Sequence, residues 1–187
     1  MKSLNAPSFF TRLLLATSLL LLAASAQAAI FVKFDGIDGE ARDRDHLNWS
    51  DVLSVNESLT LPDGGATGST RTRGAARYQD IVLSKELDKA SVKLREALAL
   101  GRVIPKVEIE ITASYTDAGR VTYFRYELKN VVITSFDMNA SGNDEAGPPT
   151  ENVSLNFEEI KITYTERDND GTSKGNVEFT YRVEIGE

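Results

Sequence analysis

From Lys106 onward the apolar and polar positions alternate with period two. Val107, Ile109 and Ile111 share one face, and Glu108, Glu110 and Thr112 share the other. That is the pattern of a strand with one buried and one wet side. Asp117-Ala118-Gly119-Arg120 supplies a hairpin turn. Val121–Ser135 then reads as a long partner strand with Phe124, Tyr126 and Leu128 on one face. Thr150–Thr165 carries its apolar residues first at odd positions (Val153, Leu155, Phe157) and then at even ones (Ile160, Ile162, Tyr164). Side chains alternate strictly along a strand, so both sets reach one core only if an extra residue shifts the phase. A β-bulge is therefore predicted near Glu158-Glu159. After the turn at Asn169-Asp170-Gly171, a last strand over Asn176–Ile185 places Val177, Phe179, Tyr181, Val183 and Ile185 on one face. Upstream, Ala29–Phe34, Val52–Leu61 and Tyr78–Leu83 read as shorter strands.

One segment has the helical period instead. Leu94, Ala97, Leu98 and Gly101 fall at i, i+3, i+4 and i+7 within Ala90–Leu100, a run of good helix formers. Asp88 or Ser91 offers the N-cap, Gly101 the left-handed terminator, and Pro105 blocks continuation. Two stretches cannot join a core. Pro62–Arg77 (PDGGATGSTRTRGAAR) holds four glycines and no bulky apolar side chain, and Asn139–Pro149 is polar. A structureless loop as long as the first is uncommon in a compact domain and is usually functional or disordered. The sum is a mainly β, antiparallel domain of about six strands, a closed barrel or a sandwich, with one short flanking α-helix.

The first 28 residues differ from the rest. Lys2 and Arg12 precede the apolar run Leu13–Ala24, the small-x-small triplet Ala26-Gln27-Ala28 follows it, and no acid occurs before Asp35. These are the three regions of a secretory signal peptide. The run is too short for a membrane span, which needs about 20 apolar residues. The expected mature chain is Ala29–Glu187, a single domain, exported to the periplasm or beyond. Its removal of two bases and no acid makes the formal charge more negative than the −7 of the whole chain. Such a surface is repelled by nucleic acid and, once the leader is gone, by anionic membranes.

Composition narrows the chemistry further. There is no cysteine, so disulfides, thiolate metal sites and a cysteine nucleophile are excluded. His46 is the single histidine, which excludes multi-histidine metal sites, and it reads as structural or surface. Asp35, Asp38, Asp43 and Asp45 cluster, but Arg42 and Arg44 are interleaved and neutralise them. Asp168-Asn169-Asp170-Gly171 begins like a calcium loop, yet Ser173 and Phe179 stand where an EF-hand needs glycine and glutamate. Glu158 and Glu159 are adjacent, whereas paired glycosidase acids flank a sugar from opposite sides. No cofactor fingerprint, phosphate loop or catalytic constellation remains. Arg71 and Arg73 form a small basic cluster in the glycine-rich loop, suited to an acidic partner surface such as another copy of this chain.

Four stretches, in order, resemble the Hcp family, the tube-forming proteins of the bacterial type VI secretion system. They are FVKFDGIDGEARDRDH (Phe31–His46), QDIVLSKELDKASVKLREALALG (Gln79–Gly101), YELKNVVITSF (Tyr126–Phe136) and TENVSLNFEEIKITY (Thr150–Tyr164). Val92 stands where the family commonly has proline, and Asn48-Trp49-Ser50-Asp51 alters a family segment after the histidine. The resemblance implies an antiparallel β-barrel with a flanking helix. It implies a homo-hexameric ring, with rings stacked into a tube that carries effector proteins, and no enzymatic activity or cofactor. The family's ring-stacking loop corresponds here to Pro62–Arg77, with Gly64, Gly65, Gly68, Arg71 and Arg73 as its candidate residues. Family members assemble in the cytoplasm without a cleavable signal, so the leader here implies either an exported relative that keeps the ring fold or a misassigned start codon; its well-formed signal pattern favours the exported relative. Two other classes compete with this reading. One is an exported monomeric β-barrel that binds a ligand or adhesin partner, with Trp49 and Tyr123 as pocket aromatics. The other is a hydrolase that uses Asp43 and Asp45.

Overall fold

The computed structural model describes residues 28–62, 76–115, 118–142 and 147–183. In chain order the elements are β1 (Ala29–Phe34), β2 (Ser50–Asn56), β3 (Leu59–Thr60), β4 (Arg77–Tyr78), β5 (Ile81–Glu86), α1 (Ala90–Ala99), β6 (Ile104–Tyr115), β7 (Gly119–Asn139), β8 (Thr150–Asn156), β9 (Glu159–Arg167) and β10 (Ser173–Arg182). The expected strand over Val52–Leu61 is thus two strands, and so is that over Tyr78–Leu83. In both places the chain leaves the barrel to form the small β3–β4 ladder, Leu59 opposite Tyr78 and Thr60 opposite Arg77.

Six strands close on themselves in the order β7-β6-β1-β2-β5-β8, with β8 returning to β7, and every pairing is antiparallel. The mainly β barrel expected from the alternation is what forms. Val32, Phe34, Ile81, Leu83, Ile109, Leu128, Val153 and Leu155 fill its interior almost without exposure. β9 and β10 do not belong to the closed ring. β9 pairs with the first half of β7, and β10 pairs only with β9.

The predicted phase shift exists, but as a break rather than a bulge within one strand. β8 ends at Asn156 and β9 begins at Glu159. The long strand beside them shifts at the same level, because Asn130 adopts φ 50°. Its buried set changes there from Tyr126 and Leu128 to Val131 and Ile133. Opposite, Phe157 and Ile160 are both buried across the gap. The Glu158 N–H donates to the Lys129 carbonyl (3.1 Å), and the Asn130 amide donates to the Glu158 carboxylate, which locks the two kinks together. Matching shifts keep both strands apolar toward the core.

The helix lies against the later part of β7, where the Arg95 guanidinium sits over the Phe136 ring at 4.6 Å. Ala90, Leu94 and Ala97 face the core as the helical period requires. Asp88 does the capping, its Oδ1 accepting the Ala90 N–H at 2.9 Å. The other end closes as a Schellman motif. Gly101 has φ 58°, its N–H donates to Leu98 O (3.1 Å), and the Arg102 N–H donates to Ala97 O (2.8 Å). A Cβ at Gly101 would meet no neighbour, so Gly101→Ala is expected to cost only the left-handed backbone penalty, about 1 kcal/mol. Urea unfolding should show a lower midpoint at an unchanged slope.

Candidate assembly surface

Three cross-strand rows run from β7 through β9 to β10 on the apolar face. They are Leu128–Ile160–Tyr181, Tyr126–Ile162–Phe179 and Phe124–Tyr164–Val177. The first row is closed over by the barrel, and Tyr181 is buried. In the second, Tyr126 is buried and Ile162 half-buried while Phe179 is 46 % exposed. In the third, Tyr164 is 44 % and Val177 70 % exposed. The core thus covers the sheet only near the barrel, and the β9–β10 hairpin overhangs it with its apolar side bare. The expected alternation along the last strand is present, and the structure adds that most of that face is open. Of the named set only Tyr181 is enclosed, Val183 lies beyond the strand end, and Ile185 lies outside the described residues.

Among the described residues the far edge of β10 has no neighbour in the sheet, so it presents backbone donors and acceptors for another strand. Exposed apolar side chains beside such an edge mark an interaction surface. The opposite face of the same hairpin is polar. A groove of about 340 Å³ there is lined by Thr122, Arg125, Lys161, Thr163 and Glu178 among others, and Lys161 and Glu178 pair at 2.9 Å. The hairpin therefore has one face built for water and one that water leaves unsatisfied.

Two buried polar groups support this frame from elsewhere. The first joins the helix to the barrel. Lys85 and Glu151 are directly paired residues of β5 and β8, both without measurable side-chain exposure. Lys85 Nζ donates to Glu151 Oε1 (2.8 Å), Asp88 Oδ1 (2.8 Å) and the Glu86 carbonyl (2.7 Å). The Ser91 hydroxyl donates to Glu151 Oε1 (2.8 Å), and the Ser50 hydroxyl to Asp88 Oδ2 (2.6 Å). Glu151 Oε2 has no partner among the described residues. Sequence reading passed over this pair, although both sit at inward parity, Lys85 after Ile81 and Leu83, and Glu151 before Val153 and Leu155.

The second lies on the barrel's outer side, under the segment between β1 and β2. His46 is 4 % exposed and stacks on Phe31 with ring centroids 4.1 Å apart. It meets Asp43 Oδ1 through Nδ1 (2.7 Å) and Glu110 Oε2 through Nε2 (3.1 Å). A β7 bulge at Tyr123, opposite the Ile111–Thr112 step of β6, returns Thr122 to the outer face. There its hydroxyl donates to Glu110, which also pairs with Arg125. Burial raises the Glu110 pKa, but the hydrogen bonds from His46 and Thr122 and the Arg125 charge outweigh it and bring it to about 2. The expectation of a structural histidine holds in its buried form.

The acids proposed as a hydrolytic group are dispersed among other duties. Asp38 pairs with Lys33 (3.1 Å), Asp43 with His46, and Asp45 with Arg44 (3.3 Å). Glu159 pairs with Lys129 (2.6 Å) and Arg182 (3.1 Å), and Asp168–Gly171 is the β9–β10 turn. Trp49 meets His46 edge-on at 5.0 Å, and neither Trp49 nor Tyr123 lines the polar groove. Gly64, Gly65, Gly68, Arg71 and Arg73 lie outside the described residues. The base of their segment is described. Tyr78 packs on Phe157 and Tyr181, and the Tyr181 hydroxyl donates to Ala76 O (3.0 Å), so the loop departs beside the overhang.

Comparison with known proteins gives a consistent family. The model of the family described as type VI secretion system effector, Hcp, matches residues 31–164. The Protein hcp1 of Pseudomonas aeruginosa is 29% identical over 146 residues, which are 78% of this chain and 88% of that protein. Among solved structures, Hcp1 from Salmonella typhimurium superposes with a TM-score of 0.69 at 25% identity, covering 84% of this chain and 96% of that one. A type six secretion system protein gives 0.77 at 23% identity, covering 86% and 99%.

Proposed function

This chain belongs to the Hcp family of the type VI secretion system, as a structural protein of the secretion tube and not an enzyme, and from that we propose that its mature form closes into a homo-hexameric ring through the β9–β10 overhang. The observation that carries the proposal is the bare apolar face of Tyr164, Val177 and Phe179 beside an unpaired strand edge. A closed ring needs two different surfaces on roughly opposite sides of each copy. The overhang is attached at β7, and β2 lies three strands away around the closed barrel. There Leu53 sits at a register shift between Val52 and Ser54 and is 55 % exposed. A bulge re-aims a side chain, and Leu53 is the apolar residue that receives the neighbour's overhang.

Stacking of rings uses the segment that leaves from β3 and β4, with Gly64, Gly65, Gly68, Arg71 and Arg73, and the ring carries effector proteins or meets other secretion-system components. The leader is removed after Ala28, and the ring works in the periplasm or outside the cell. Ala29 is already the first residue of β1, paired with Thr112, so this cleavage removes no barrel residue.

The test combines light-scattering mass and negative-stain imaging of Ala29–Glu187 with N-terminal sequencing of the full-length gene product from a Gram-negative periplasm. The expected results are six times the chain mass, annular particles and a sequence that starts at Ala29. A chain that stays single at every attainable concentration overturns the ring, and an intact Met1 overturns the export.

A further inference from the structure

We propose that His46 is a pH-operated latch that pins the segment between β1 and β2 to the outside of the barrel, closed while the imidazole carries both protons and opened when it loses one. The segment crosses β1 and β6, held near its two ends by the buried Ile37 and Ala41 and by Lys33 Nζ, which donates to Asp38 Oδ1 (3.1 Å) and to the Asn48 carbonyl (3.4 Å). Two backbone bonds fold it on itself, from the Gly39 N–H to Asn48 O (2.9 Å) and from the Ala41 N–H to Trp49 O (2.8 Å). Gly39 has no room for a side chain against the Trp49 carbonyl and the Ser50 hydroxyl, so this turn is tightly fitted. Its tip, Asp43–His46, is joined to the barrel by the His46 side chain and by Asp43, which Arg120 of β7 approaches at 3.9 Å.

The geometry dictates the protonation state. Each ring nitrogen faces a carboxylate oxygen, and ionised carboxylates only accept. Both nitrogens must therefore donate, which a neutral imidazole cannot do. The charged groups around it are arranged to keep that proton. The segment itself contributes Asp43, and β6 contributes Glu110. From β7, Arg125 pairs with Glu110, and Arg120 approaches Asp43 at 3.9 Å and stands over Phe31 at 5.8 Å. β1 contributes the uncharged Phe31 ring, and β2 contributes Asp51, within electrostatic reach of Asp43 and Arg120. Burial alone would expel the proton. The hydrogen bonds and charges of Glu110 and Asp43 outweigh it and hold the His46 pKa above its ordinary value of 6.5.

The sign follows. A histidine whose pKa is raised on folding lends stability that is complete below pH 6.5 and is lost as pH rises through the folded value. Above that value one of the two carboxylates faces an unprotonated nitrogen at hydrogen-bond distance, and the contact turns from attractive to repulsive. The latch therefore opens on the alkaline side, and the Asp43–Leu47 tip, where Leu47 is already 62 % exposed, is freed to rearrange. The device does not depend on ring formation and operates in a single chain.

Because His46 is the only histidine, its titration needs no assignment. Nitrogen-15 NMR of the mature chain from pH 5 to pH 10 should find both ring nitrogens protonated at the acid end, with the midpoint displaced above 6.5. Amide-exchange protection at Gly39 and Ala41, corrected for the intrinsic pH dependence, should fall about tenfold through the same midpoint, the loss expected of one charge-assisted hydrogen bond. In His46→Gln that step should vanish, leaving protection flat across the range. Asp43→Asn, which keeps the histidine but removes one carboxylate charge, should move the midpoint down. A midpoint at or below 6.5, or loop protection that ignores the midpoint, overturns the latch. So does a step that survives His46→Gln. If the glutamine variant does not fold, the Asp43→Asn midpoint decides alone.

Discussion

Lys85→Met should destabilise the mature chain by about 3–5 kcal/mol, the cost of leaving a buried charge without its partner. Lys85 has no measurable exposure, and its ammonium contacts two carboxylates, Glu151 and Asp88. Glu151 already carries one oxygen without a partner, and without Lys85 its charge would keep only the Ser91 hydroxyl. Water cannot enter to compensate without opening the junction between α1 and the barrel. For a chain of this size the melting temperature should drop by roughly 6–20 °C. The double variant Lys85→Met/Glu151→Leu removes both charges and should regain most of that loss. Asp88 would still be held by the Ser50 hydroxyl and the Ala90 N–H. Urea unfolding of the three chains separates the outcomes. A single variant within about 1 kcal/mol of the parent would mean that the pair is solvated.

This pair also shows why some of the structure was legible in the sequence and some was not. Strand alternation is a local property, and it placed Val107, Ile109, Leu128, Val153 and Leu155 on the core side correctly. Gly101 gave the helix end because only a left-handed residue completes that motif. The mismatch of parity between Leu155 and Ile160 gave the kink near Glu158. In β7 the matching shift from Leu128 to Val131 is blurred, because Val131-Val132-Ile133 puts apolar residues at both parities. Buried ions are a different matter. Lys85, Glu110 and Glu151 become visible as partners only when strands far apart in sequence come into register, and register is fixed by closure of the barrel, not by any one segment.

The overhang was only half legible for a related reason. Alternation along Val177, Phe179 and Tyr181 reports that one side is apolar; it does not report what covers that side. Within a single chain the barrel reaches only as far as Tyr181. Both facts together, an apolar face and no cover for it, carry more information about assembly than either alone.

Val177→Lys should abolish the ring while leaving the fold intact. Val177 is 70 % exposed in the single chain, so its replacement removes little buried surface and should change stability by no more than about 0.5 kcal/mol. In the proposed ring the same side chain is enclosed by the neighbour, and a lysine there must either lose water or hold the two copies apart. A charged residue on a strand edge is also the usual device by which single sheets avoid pairing with others. Light scattering should therefore give a single-chain mass at concentrations where the parent forms rings, with an unchanged circular dichroism spectrum. Val92→Lys provides the matched control. It alters a side chain of nearly equal exposure, 68 %, on α1 and away from the β10 edge, and should keep the ring mass. Rings that persist in Val177→Lys would remove the overhang from the interface. Loss of rings in Val92→Lys alone would move the interface to the helix, because two equally exposed valines differ in effect only through what the next copy places against them.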